Sequence, residues 1–73
     1  MKILATRSAC VVRILETIED DQPLYDFLEY MDSSVLHDYP YTDIEVPLKE
    51  LNQVTNFLDA QGWSYRVYWY KYD

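Results

Sequence analysis

Residues 47–72 read PLKELNQVTNFLDAQGWSYRVYWYKY, and they decide the fold. Leu48, Leu51, Val54, Phe57 and Leu58 recur at the spacing of one helical face, so residues 47–61 read as an amphipathic helix. Pro47 suits its first turn, where a missing N–H costs nothing. Gly62, the single glycine of the chain, suits the left-handed position just past the helix end. Residues 63–72 are then dominated by aromatic and β-branched side chains, the composition of a strand. Trp63, Tyr65, Val67 and Trp69 share one face, expected to meet the core, while Ser64, Arg66, Tyr68 and Tyr70 share the other.

Working back, residues 22–33 read as a second helix. Asp21 is its candidate N-cap and Pro23 fits its first turn. Leu24, Phe27, Leu28 and Met31 form the core stripe. Residues 43–46 are a short strand ended by Pro47 and expected at an edge. Residues 35–42 are expected as loop, extended at Tyr39-Pro40-Tyr41 because the residue before a proline avoids the helical region. Residues 2–6 read as a strand. Residues 9–18 carry Val11, Val12, Ile14, Leu15, Thr17 and Ile18, a density of β-branched residues that favours strand. The same segment also fits a helix capped by Ser8. The expectation is an α+β domain, residues 1–73, with a small mixed or antiparallel sheet of three to four strands and two helices on one face. The alternative is three helices with a smaller sheet.

Charge is distributed unevenly. Between Ile14 and Leu48 there is no lysine or arginine and there are ten acids, within a chain whose net charge is −7. Nucleic-acid affinity depends on cations that neutralise phosphates, so direct nucleic-acid binding is disfavoured and a basic partner is favoured. With 49% apolar residues the chain has the means to build a core despite its charge. One cysteine, Cys10, allows neither an internal disulfide nor a thiolate metal cluster, and its apolar neighbours suggest a buried structural thiol. A domain without such staples reads as cytoplasmic. Arg7 and Arg13 interrupt the start of the chain before a signal-peptide core can develop. No run approaches the apolar length of a membrane span.

No catalytic pattern emerges. His37 is the only histidine, beside Asp38 and with no nucleophile motif near it. Asp20, Asp21 and Asp26 lack the glycine-centred spacing of a calcium loop. One glycine cannot build a phosphate-cradling loop. The expectation is no enzyme, no cofactor and no metal.

What remains is an acidic, tyrosine-bearing surface. Tyr25, Asp26, Glu29, Tyr30 and Asp32 fall on the polar face of the first helix, followed by Asp38, Tyr39, Tyr41, Asp43 and Glu45. Like charges three or four residues apart on a helix repel, so an uncompensated run suggests a reason other than stability. Tyrosine among acids adds contact area suited to a binding surface. The functional expectation is a protein-binding inhibitor that docks this face onto the basic groove of a nucleic-acid-handling protein, as a nucleic-acid mimic of the kind phages use against host defence. It requires that Arg7, Arg13, Lys49 and Arg66 do not fold back over the acids. The alternative is a structural or regulatory subunit that uses the aromatic C-terminal strand for self-association or partner contact.

Overall fold

The computed structural model describes residues 9–69, apart from the side chain of Trp69. The strand expected at residues 2–6 and the end of the one expected at 63–72 lie outside the described residues. The fold is α+β: a four-stranded antiparallel sheet with two helices. In chain order the elements are β1 (Ala9–Ile14), α1 (Gln22–Leu28), β2 (Ser34–His37), β3 (Thr42–Pro47), a 3-10 turn (Leu48–Glu50), α2 (Leu51–Gln61) and β4 (Tyr65–Trp69). The sheet order is β2-β3-β1-β4.

The ambiguous N-terminal segment is a strand, and it is central. Along β1, Cys10, Val12 and Ile14 are fully buried while Val11 and Arg13 point to the opposite face. Ile44 and Val46 continue the buried face on β3, and Leu24, Leu28, Val54 and Leu58 cover it from the two helices. Both helices therefore pack on the same side, and among the described residues no helix covers the other. Phe27 of α1 stacks on Phe57 of α2 with ring centroids 4.2 Å apart, and Trp63 meets the edge of Phe57 at 6.1 Å. Edge and stacked contacts of this kind add to area burial. The Cys10 thiol is pushed up in pKa by burial, which fits a packing role.

Four local expectations are corrected. First, α1 ends at Leu28 rather than near residue 33. A continuing helix would need the Asp32 N–H to bond the Leu28 carbonyl. Instead Met31 N–H takes that carbonyl at 3.0 Å, and the Asp32 N–H donates to the Glu50 carboxylate. Asp21 does occupy the N-cap, but its side chain makes no capping bond. Second, residues 34–37 form β2 where loop was expected. Four residues are too few to show a period, and it is pairing with β3 that makes them a strand. Third, β3 is interior, flanked by β1 and β2, and among the described strands β2 is the edge. Fourth, Leu48 is exposed, because it lies in the 3-10 turn and out of phase with the α2 stripe.

Gly62 behaves as expected. Its φ is 77°, its N–H bonds back to the Asp59 carbonyl, and the Trp63 N–H bonds to that of Leu58. A Cβ at this position would meet no atom within 4 Å, so a substitution acts through the backbone alone. Gly62→Ala is expected to lower stability by about 1 kcal/mol, and Gly62→Asn by less, in urea unfolding followed by circular dichroism. An unchanged midpoint for the alanine variant would contradict the left-handed assignment.

Candidate functional site

The ten residues singled out as a docking surface do not share one fate. Asp26 and Glu29 are exposed on α1 and just past it, with Asp26 accepting a hydrogen bond from the Gln22 amide at 2.8 Å. Tyr25 is partly exposed, whereas Tyr30 and Tyr39 are 89% and 86% exposed. Asp38 is exposed immediately after β2.

Of the others, Tyr41 is as exposed as Tyr25 and Asp32 is exposed, while Asp43 and Glu45 are drawn in. Asp43 is only 4% exposed and lies on the sheet face away from the helices, directly opposite Arg13. The Arg13 Nε and Nη2 donate to its two carboxylate oxygens at 2.9 and 3.0 Å, a two-pronged geometry. His37 Nε2 stands 3.1 Å from the same carboxylate. Tyr41 lies beneath the Arg13 guanidinium at 4.9 Å, and Tyr68 flanks it at 5.4 Å. Glu45 is half-buried on β3 between Val11 and Ser34. Asp32 remains exposed but is paired with Lys49 at 2.8 Å. Both cations are held in their charged form, since the hydrogen bonds they donate to Asp43 and Asp32 raise the pKa of Arg13 and Lys49 respectively. Two of the cations whose distance from the acids was required therefore do fold onto them, and Asp32, Asp43 and Glu45 drop out of the free acidic array.

What the structure gathers instead is visible at two clefts. The larger, of about 450 Å³, runs between β2 and α1 and includes Tyr25, Leu28, Glu29, Val35, Leu36 and Asp38. The second, of about 250 Å³, adjoins it and is lined by Glu16, Thr17, Ile18, Asp21, Asp38, Tyr39, Pro40 and Thr42. Asp38 is common to both. Among the described residues no lysine or arginine lines either cleft. Glu16 and Asp21 are the acids that sequence reading left out of the array. They sit in the segment joining β1 to α1, whose course a sequence pattern does not reveal. Glu16 also receives the Ser64 N–H at 2.7 Å, which fastens that segment to the start of β4. The described residues hold no cluster of metal-ligating side chains.

The wall of the larger cleft has its own support. Glu50, nearly buried, accepts the Asp32 N–H at 3.0 and 3.1 Å and the Ser33 hydroxyl at 2.7 Å. This one carboxylate pins the turn that leads from α1 into β2. Glu50→Ala strands a buried hydroxyl and an N–H and is expected to cost about 2 kcal/mol. Amide exchange across Asp32–Ser34 should rise with it, and unaltered exchange there would contradict the clasp. No protein-family model matches the chain, and no curated protein or solved structure is similar to it.

Proposed function

We propose that the protein is an acidic protein-binding module that docks onto a basic groove of a nucleic-acid-handling protein and inhibits it by occupying the path of the phosphates. The observation that carries this reading is the continuity of Glu16, Asp21, Glu29 and Asp38 around two clefts that share Asp38, with no lysine or arginine on either among the described residues. Carboxylates spaced by several ångströms on a rigid scaffold offer counter-charges to an array of arginines and lysines that otherwise holds phosphates. Tyr25, Tyr30 and Tyr39 supply apolar contact area between the acids. The protein's small size and its net charge of −7 would suit a phage-encoded anti-defence inhibitor. The setting is cytoplasmic, where nucleic-acid enzymes work. No helix among the described residues is long and apolar enough to cross a membrane.

A second reading is favoured by a separate observation. Among the described strands β4 is the other edge of the sheet, with Arg66 and Tyr68 exposed on it. It would use that edge for self-association or for a partner sheet.

The two readings respond oppositely to substitution. Under the first, Glu29→Lys with Asp38→Lys should weaken capture of basic nucleic-acid-handling proteins in a pull-down by about tenfold or more. Capture by the unaltered protein should fade as salt is raised and when duplex DNA competes. Recovery of no such protein at low salt, or equal recovery by the charge-reversed variant, overturns the first reading. Loss of a dimer on gel filtration by Tyr68→Ser would favour the second.

A further inference from the structure

Among the described strands β2 is an edge, and it borders a groove. Among the described residues β2 pairs only with β3, so its outer side presents backbone N–H and C=O groups that no described strand takes up. α1 stands across from that side and closes the groove of about 450 Å³. Its apolar lining is Tyr25, Leu28, Val35 and Leu36, of which Leu28 and Val35 also pack into the core. Leu36 is 45% exposed on an edge strand, where an apolar side chain invites a neighbour. Edge strands are commonly guarded by lysine or proline, and residues 34–37 have neither. The single irregularity between Val35 and His37 shortens the usable edge to a few residues.

From this geometry we infer that β2 receives a short extended segment of a partner protein as an added antiparallel or parallel strand, with lysine or arginine flanking one apolar side chain. The inference rests on the cation-seeking reading above and specifies its mode of contact. Backbone hydrogen bonds to β2 supply affinity, and alternate side chains supply selection. The apolar residue enters between Tyr25, Leu28 and Val35. The cations meet Glu29, which follows α1 and precedes the turn into β2, and Asp38, which follows β2 directly. Four steps of strand span about 14 Å, so a cation-x-apolar-x-cation segment has the length of the edge from Ser34 to Asp38. Charge selects the occupant. A second copy of this chain, at net charge −7, is repelled from an acidic rim, and so is a nucleic acid.

The probe is the blocked peptide acetyl-Ser-Lys-Thr-Ile-Thr-Lys-Ser-amide, titrated at low salt into the isotope-labelled full chain by NMR. Two control peptides accompany it. One is N-methylated at alternate residues of the side that would bond β2, and the other has the same composition with the two lysines adjacent. The expected result is saturable binding with amide shifts at Ser34–His37 and slowed hydrogen exchange there. Affinity should fall by about tenfold on N-methylation and by a similar factor for Glu29→Lys. Equal binding of all three peptides, with no protection along β2, overturns strand addition while leaving the acidic docking surface standing. Binding of none of them at low salt overturns both.

Discussion

Arg13 and Asp43 face each other across the two central strands, and the register they fix carries the rest of the sheet. A slip of one residue between β1 and β3 would turn Arg13 into the core and Val12 out of it. The apolar alternation of β1 and this charged pair therefore specify one and the same alignment. β2 hangs on β3, β4 hangs on β1, and both helices cover the face that the alignment leaves apolar. The pair also accounts for the electrostatic layout. By drawing Asp43 inward, against Arg13, His37 and Tyr41, it leaves the free acids on the α1 side and at the turn after β2.

A second carboxylate works in the same manner at the other end of the molecule. Glu50 ends the 3-10 turn and reaches the chain between α1 and β2, where it takes a backbone N–H and a hydroxyl. The neighbouring Lys49 takes Asp32. Acids in this chain thus divide by task. Asp43 and Glu50 hold strands and turns together, whereas Glu29 and Asp38 stay in solvent beside apolar side chains. Net charge alone conceals this division, because it weighs a buried, bonded carboxylate and a free one equally.

The parts of the fold that were legible in the sequence are those governed by local chemistry. The α2 stripe, the left-handed Gly62 and the aromatic strand after it follow from residue spacing and from the properties of glycine and β-branched side chains. The strand character of β1 followed from its valines and isoleucine. What escaped depends on partners distant in the chain. β2 is a strand because β3 lies beside it, β3 is interior because β1 pairs with its far side, and α1 stops because Glu50 intercepts an N–H. The candidate site divides on the same line. Tyr25, Asp26, Glu29, Tyr30, Asp38 and Tyr39 are exposed, as their helical or turn positions suggest. Asp43 is buried by a residue 30 positions away, which no local pattern conveys.

The central place of β1 has a consequence for synthesis. Its segment ACVVRI leaves the ribosome before either neighbour, since Cys10 must wait for Val46, 36 residues on, and for Trp69 later still. A sheet assembled from such distant pairs folds slowly relative to one built from hairpins. Throughout that interval a run of apolar, β-prone residues stands without its partners, which is the composition that seeds intermolecular strands. Arg13 interrupts the run at its fifth residue. The side chain that later sets the alignment of the finished sheet therefore also serves the newborn chain as a gatekeeper against coaggregation.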